Sequence, residues 1–283
     1  MVVPVHDQNP VRRTPWVTYL LIAANIVVFL LTPAASTTGV QSASLGEVCR
    51  QEAFYQRYGA VPRELVDNRP LATAPTGQVG VGPGGPGCVV EPRRYEKVPL
   101  LSVLTSMFLH GGWLHLLGNM LFLWVFGNNV EERFRRLRFL LFYLAGGYVA
   151  AYGFALANPD LTQPIVGASG AISAVLGAYL VLYPRVPVWS LVPVLLFIPL
   201  RLPAWFVLGL WFVVQWLYST GFATSGTGTV AYLAHVLGFV FGALVAVPLR
   251  GRRGPAPVRY PHPYPYPYPR WGRRGRGPRP GRW

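Results

Sequence analysis

Residues 167–179 read GASGAISAVLGAY, a stretch made mostly of small and apolar residues with no charge. Gly170, Ala174 and Gly177 follow one another at intervals of three or four, so a helix places them on one face. Such faces let helix backbones approach closely inside a membrane. Ser169 stands at the start of this helix, where free backbone N–H groups and the positive dipole end favour negative charge. The stretch therefore predicts either a packing helix or a helix that presents a reactive serine.

The rest of the chain has the composition of a membrane protein. Of its 283 residues, 52% are hydrophobic and 12% are charged, and the mean hydropathy is +0.35. Soluble domains carry about 25% charged residues, so a single large soluble core is the less favoured interpretation. Two cysteines are too few for a disulfide-rich framework or a four-ligand zinc site. We therefore predict an all-α membrane protein that holds no metal and no cofactor.

Apolar runs predict six membrane-spanning helices, since a span takes about 20 residues. The runs are 16–32, 113–126, 139–157, 169–183, 203–218 and 230–249. A further apolar run, 188–200, is interrupted by Pro193 and Pro199, so we interpret it as an interfacial or re-entrant piece. The predicted fold is thus a six-helix membrane bundle over residues 16–249. It contains a long polar loop, 33–98.

Arginine placement predicts the orientation, because short loops rich in basic residues stay on the cytoplasmic side. With six spans, the basic residues of the short loops all fall on one side. The N-terminal segment 1–15 and the tail 250–283 are then cytoplasmic, and the 33–98 loop is extracytoplasmic. Alternatively, residues 16–32 belong to a cleaved signal peptide, which leaves the other spans oriented as before. A bacterial plasma membrane fits this arrangement.

The tail 250–283 is rich in Pro, Tyr and Arg and has no acidic residue. It shows no apolar periodicity, so we predict a disordered, solvated segment. Attraction to anionic lipid is the alternative, since each basic residue near such a surface contributes about 1 kcal/mol. Nucleic acid is not expected as a partner, because the tail is tethered to the membrane.

Polar side chains inside the spans are few, and they are candidates for function because they are costly in lipid. The ionisable or strongly polar ones are Asn25, His115, Asn119, Gln215 and His235, and Ser169 joins them at the start of the fourth span. The second, fourth and sixth spans run in the same direction, and His115, Ser169 and His235 each lie in the first third of one of them. These three side chains are therefore predicted to lie at similar depth, near the outer face.

Ser169 and His235 are the predicted catalytic pair, because serine is a weak nucleophile until a base takes its proton. His235 is the one histidine in the later spans, and no carboxylate lies in the middle of a span. His115 and Asn119 are four residues apart and share a helix face, from which they could bind a developing oxyanion. Each motif alone more often reflects helix packing. The combination favours catalysis by a Ser–His dyad.

Three blocks of this sequence together resemble the rhomboid family of intramembrane serine proteases. They are TSMFLHGGWLHLLGNMLFLWVFGNNVEERF at 105–134, GASGAISAVLGAY at 167–179 and AHVLGFVFGAL at 234–244. Their order and predicted topology are similar to the family pattern from about residue 15 to residue 249. The resemblance implies a serine endopeptidase that cleaves single-span membrane proteins in or near their transmembrane segments, within the lipid bilayer.

The resemblance also implies residue roles. Ser169 is the nucleophile and His235 the general base, and His115, Asn119 and the Ser169 N–H form the oxyanion hole. His110 matches an accessory histidine at the outer rim. Gly167 belongs to the GxSG motif of the nucleophile. Some members carry a tyrosine four residues after the nucleophile that stacks on the histidine, and Ser173 stands at that position here.

Other interpretations stay open at this point. An inactive rhomboid-like protein that binds membrane clients is expected to lack Ser169 or His235. A proton-coupled transporter that uses His115 and His235 needs a polar path through the whole bilayer. A lipid-binding scaffold would depend on the basic tail. Cys49 and Cys88 share the 33–98 loop, where they are either bonded or two free thiols.

Overall fold

The computed structural model describes residues 3–33, 44–82, 84–192, 198–220 and 231–251. The predicted disordered tail falls, apart from its first two residues, outside these ranges. So do residues 193–197 of the predicted interfacial piece and the start of the sixth predicted span.

Helices form where the apolar runs predict them, and the polar stretch 128–134 after the second run is helical as well. These helices are α1 (Trp16–Leu30), α5 (Trp113–Phe122), α6 (Asn128–Phe134), α7 (Arg136–Ala157), α8 (Ser169–Leu182), α9 (Ala204–Ser219) and α10 (Tyr232–Ala246). A π-helical turn, Leu123–Gly127, joins α5 to α6, and the residues on either side of it keep right-handed helical dihedrals. A short 3₁₀ turn, Val247–Leu249, ends α10.

Length and composition alone qualify two of the described helices to cross a membrane, Arg136–Ala157 and Tyr232–Leu249. α1, α8 and α9 are apolar but shorter. The count of six spans therefore stays a prediction.

The helices α8 and α10 are in backbone contact at the centre of the bundle. A Cβ atom added to Gly177 would collide with the carbonyl of Phe239, and one added to Gly242 would collide with the carbonyl of Ala174. Gly238 meets the carbonyl of Gly170 in the same way. The predicted close contact through small residues is confirmed, and it brings the starts of two distant helices together.

The prediction of an all-α protein is wrong at one end of the bundle. The described residues of the apolar run 188–200 belong to two strands that pair antiparallel, β4 (Pro187–Val192) and β5 (Ile198–Pro203). The N-terminal strand β1 (Val3–Asp7) pairs antiparallel with β4, giving the order β1-β4-β5. Proline cannot continue a helix, and alternate side chains of β4 are buried, which suits a strand.

The predicted 33–98 loop is also folded in its described part. It contains α2 (Leu45–Tyr58), α3 (Pro62–Asp67) and the antiparallel pair β2 (Thr73–Gly82) and β3 (Gly85–Pro92). We call residues 44–98 the insert subdomain. Its last residues lead into a short helix, α4 (Pro99–Ser106), at the edge of the bundle.

Covalent and ionic contacts hold the insert subdomain together. Cys49 and Cys88 are joined by a disulfide between α2 and β3. Lys97 Nζ lies 2.6 Å from Glu64 Oε2, and both side chains are almost fully buried. Lys97 also donates to the carbonyl of Gln56, so this buried ammonium has two oxygen partners. Burial lowers the pKa of Lys97 and is the largest effect on it. The Glu64 carboxylate raises this pKa and so offsets part of the shift.

Candidate active site

The nucleophile and base predicted from the sequence lie in hydrogen-bond contact. Ser169 Oγ is 2.7 Å from His235 Nε2, although the two residues are 66 positions apart in the chain. Ser169 is the first residue of α8, and His235 lies in the first turn of α10. The glycine contacts between these helices set the separation of the two side chains, because bulkier residues would push the backbones apart.

The segment before α8 presents Ser169 to a neighbouring histidine. Gly167 has φ +125, a conformation that L side chains rarely adopt, and its N–H donates to the carbonyl of Ser106 at 2.9 Å. A Cβ atom on Gly167 would lie 2.8 Å from His115 Nε2 and 3.6 Å from Ser169 Oγ. Glycine at this position therefore lets the His115 ring approach the serine.

The first turn of α8 offers backbone N–H donors next to Ser169. Within the described residues, no side chain forms a capping hydrogen bond at the start of α8. The N–H groups of a helix's first turn have no partner within the helix and carry partial positive charge. Ser169 and His235 are each partly exposed and His115 is exposed, so the group of side chains opens to its surroundings.

Asn119 makes a different contact from the one predicted. Its Nδ2 donates to the carbonyl of His115 at 3.0 Å, within its own helix, and the side chain is 7% exposed. This hydrogen bond does not bring Asn119 to Ser169. Its predicted part in the oxyanion hole stays a prediction.

His110 is the predicted accessory histidine, and its side chain is fully buried within the protein. The ring lies edge-on to His115, with 5.0 Å between the ring centroids. Its carbonyl accepts a hydrogen bond of 2.6 Å from the hydroxyl of Tyr55, in α2 of the insert subdomain. Burial raises the pKa of Tyr55, so this phenol stays protonated and able to donate. His110 thus packs against the ring of His115, and its accessory role at the outer rim stays a prediction.

Two residues at the site were not assigned a role from the sequence. Gln215 of α9 lies 2.6 Å from His235 Nδ1 through its Oε1 atom. The sequence did single out Gln215, because it is the one strongly polar residue in the fifth predicted span. Its partner could not be predicted, since an amide can bond to many groups. Tyr55 gave no signal, because the stretch that contains it was predicted to be a polar loop.

The described residues contain no group of three or more His, Cys, Asp or Glu side chains that could hold a metal ion. The chemistry that the arrangement offers is that of an activated hydroxyl. A histidine nitrogen stands where it can take the proton of Ser169, and the start of α8 and a second histidine lie near the serine hydroxyl.

Known proteins are similar in sequence to this part of the chain. The family model of the Rhomboid domain matches residues 99–252. RHOMBOID-like protein 5 from Arabidopsis thaliana is 27% identical over 175 residues, covering 60% of this chain and 52% of the relative. Rhomboid protein 1, mitochondrial, from Saccharomyces cerevisiae is 31% identical over 152 residues, covering 51% and 40%. Rhomboid protease GluP from Bacillus subtilis is 44% identical over 78 residues, covering 28% and 15%. The chain spans about half the length of the first of these relatives.

Proposed function

Because the chain belongs to the rhomboid family, we propose that it is an intramembrane serine endopeptidase. It hydrolyses peptide bonds in or near the transmembrane segments of other membrane proteins. The observation that carries the proposal is the 2.7 Å contact between Ser169 Oγ and His235 Nε2. A relative whose name includes "protease" supports it, Rhomboid protease GluP, which shares 78 aligned residues.

The reaction proceeds by acyl transfer. Ser169 Oγ attacks the carbonyl carbon of the scissile bond while His235 Nε2 takes the hydroxyl proton. The tetrahedral intermediate collapses, the C–N bond breaks, and the amine leaves with the proton from His235. A water molecule then attacks the acyl-enzyme and gives a proton to the same nitrogen. The acid is released as Ser169 recovers its proton.

The charge that develops on the carbonyl oxygen needs donors on one side of Ser169. The free N–H groups of the first turn of α8 and the ring of His115 are the closest candidates. Asn119 can donate to the oxyanion only if its amide gives up the hydrogen bond to the carbonyl of His115. We therefore assign the N–H of Ser169 and His115 the larger share of oxyanion stabilisation, and Asn119 a smaller one.

The proposed substrates are single-span membrane proteins. A membrane helix hides its carbonyl groups in its own hydrogen bonds, so a substrate has to unwind locally before Ser169 can attack. Small or helix-breaking residues near the cut favour this. The proposed setting is a bacterial plasma membrane with both termini cytoplasmic and the insert subdomain outside. The disulfide of the insert subdomain is compatible with that side, since such bonds persist in oxidising compartments.

Labelling with a fluorophosphonate probe tests the proposal without a known substrate. The wild-type protein is expected to label, Ser169→Ala to lose all labelling, and His235→Ala to label at least about 100-fold more slowly. Ser173→Ala is the matched control, because this serine lies one turn further along α8 and bonds the carbonyl of Ser169. It is expected to label at a rate within a few-fold of the wild type.

Two results would contradict the proposal. Labelling of Ser169→Ala at the wild-type rate would show that another residue reacts. A folded wild-type protein that does not label at all would favour a rhomboid-like protein that binds membrane clients without cleaving them.

A further inference from the structure

The second nitrogen of the proposed base has a partner that the dyad does not include. His235 Nδ1 lies 2.6 Å from Gln215 Oε1, and the side chain of Gln215 is 6% exposed. An amide oxygen can only accept a hydrogen bond, so Nδ1 has to carry the ring proton in this contact. In a neutral imidazole the other nitrogen, Nε2, is then the acceptor that faces Ser169 Oγ.

We propose that Gln215 is a positioning residue, which holds His235 in the Nδ1–H tautomer and in the ring orientation that lets Nε2 take the proton of Ser169. This inference rests on the proposed function for its catalytic consequence, but the contact between Gln215 and His235 and the tautomer inferred from it do not depend on that function. The neutral amide takes the place that the aspartate carboxylate occupies in a Ser–His–Asp triad. It orients the ring without adding a charge to a low-dielectric region.

Other neighbours of His235 do not fix its tautomer. The rings of Trp211 and Tyr232 lie 6.1 Å and 6.3 Å away, centroid to centroid, and offer no polar atom to Nδ1 in these contacts. Ser173, one turn after the nucleophile, donates to the carbonyl of Ser169. Gln215 is therefore the polar group that the described contacts assign to Nδ1.

The position of Gln215 along α9 ties one end of that helix to the base. The buried residues of α9 are Ala204, Val207, Leu208 and Gln215, so Gln215 alone is buried in the second half of the helix. Any displacement of this half away from α10 separates the amide from His235. The orientation of the base thus depends on α9 lying against the bundle.

Nitrogen-15 NMR of the full-length protein in detergent micelles tests the tautomer directly. Histidine is labelled, and the His235 signals among the five histidines are assigned with His235→Ala. At neutral pH the wild type is expected to show a protonated Nδ1 and an unprotonated Nε2. In Gln215→Leu the Nδ1 signal is expected to shift toward the unprotonated value. Asn25→Leu is the matched control, since Asn25 is a buried amide in α1 that bonds its own helix at Leu21.

The rate of fluorophosphonate labelling over about pH 5 to 9 gives the catalytic consequence. Gln215→Leu is expected to label about tenfold more slowly, the loss of one hydrogen bond. Gln215→Glu keeps the acceptor and adds a negative charge beside the imidazolium. It is therefore expected to label at a substantial rate, with the acid limb of the profile moved to higher pH. Asn25→Leu is expected to leave the profile unchanged.

The outcomes separate the two proposals. Unchanged His235 signals in Gln215→Leu, or an Nδ1 that is unprotonated in the wild type, would overturn the role of Gln215 whether or not the protein labels. Equal losses in Gln215→Leu and Gln215→Glu with no movement of the acid limb would reduce Gln215 to a packing residue. A wild type with the expected tautomer that fails to label would overturn the proposed function alone.

Discussion

Asp7 is a buried carboxylic acid that joins the N-terminal strand to two helices. Its side chain is 4% exposed, and Oδ2 accepts hydrogen bonds from Tyr179 (2.6 Å) and Asn129 (2.7 Å). Burial raises the pKa of Asp7 to about 6, although the bond from Tyr179 and the charge of His6 act in the opposite direction. The native protein therefore binds this proton more tightly than the unfolded chain does.

This raised pKa predicts a pH-dependent stability. A group whose pKa is higher in the folded state contributes stability that is complete below its unfolded pKa and is lost as the pH rises through the folded value. The free energy of unfolding should thus lose roughly 3 kcal/mol from Asp7 between about pH 4 and pH 7. Asp7→Asn should remove that part of the pH dependence in unfolding measurements on detergent-solubilised protein.

The exposed residue Asp160 provides the control for this measurement. Asp160→Asn makes the same carboxylate-to-amide change at the surface and is expected to change the free energy of unfolding at pH 7 by no more than about 0.5 kcal/mol. If the difference between wild type and Asp7→Asn is constant with pH, the ionisation of Asp7 does not contribute.

At the residue scale, the sequence predicted the site where chemistry restricts the residue type. Ser169 and His235 were identified because a hydroxyl, an imidazole and the pair His115 and Asn119 recur at one predicted depth of three apolar helices, and the structure brings Ser169 and His235 together. Gln215 and Asn119 were harder to assign, because an amide can bond to its own helix or to a neighbour. Asn119 does the first and Gln215 the second. Only the packing of the helices decides between them.

At the element scale, the contact between α8 and α10 depends on glycine. A Cβ atom on Gly242 would collide with the backbone carbonyl of Ala174, which cannot move aside as a flexible side chain can. Gly209 of α9 has nothing within 4 Å of the same position. Both glycines lie inside helices, so replacement by alanine changes their helix propensity equally, by about 1 kcal/mol in favour of folding.

The pair Gly242→Ala and Gly209→Ala therefore isolates the effect of packing. Gly242→Ala is expected to lower the free energy of unfolding by about 3 kcal/mol, because the two helices have to separate. Its labelling rate is expected to fall as well, since Ser169 and His235 lie on those helices. Gly209→Ala is expected to be neutral or slightly stabilising. Equal stability of the two variants would mean that α10 shifts at little cost, and that the close contact does not set the site.

The sequence predicted the secondary structure of long apolar runs better than that of short ones. Long apolar runs such as that of α7 have no stable alternative to a helix in lipid, because each backbone polar group has to bond within its own segment. The run 188–200 is shorter, and periodicity alone does not separate a short buried strand from a helix. Its pairing partner β1 is distant in sequence and has no apolar pattern, so the sheet depends on tertiary contacts.

At the scale of the whole molecule, the insert subdomain contacts the chain on both approaches to the site. Tyr55 bonds the carbonyl of His110, just before α5, and the carbonyl of Ala60 accepts from the N–H of Ile165, just before α8. The sequence did not predict this fold, because a polar segment without periodicity can be loop or subdomain. These contacts predict that the subdomain holds the segments that carry His115 and Ser169.

The disulfide provides a way to loosen the subdomain selectively. Cys49 and Cys88 are 39 residues apart, and a crosslink of that length stabilises the closed segment by about 4 kcal/mol through the entropy of the unfolded chain. In the double variant Cys49→Ala, Cys88→Ala we expect faster hydrogen exchange in residues 45–92 and also in 164–168. Exchange in α8 and α10 is expected to stay slow, and labelling of Ser169 to slow several-fold.

Ser44→Ala is a graded control for the double variant, because it removes the side-chain cap of α2 but leaves the disulfide intact. It costs about 1 kcal/mol, so faster exchange is expected in the first turn of α2 alone. The decisive comparison is the segment 164–168. If it exchanges at the wild-type rate while the insert subdomain of the double variant exchanges fast, the bundle alone positions Ser169. Faster exchange there, together with slower labelling, would mean that the insert subdomain belongs to the structure that supports the site.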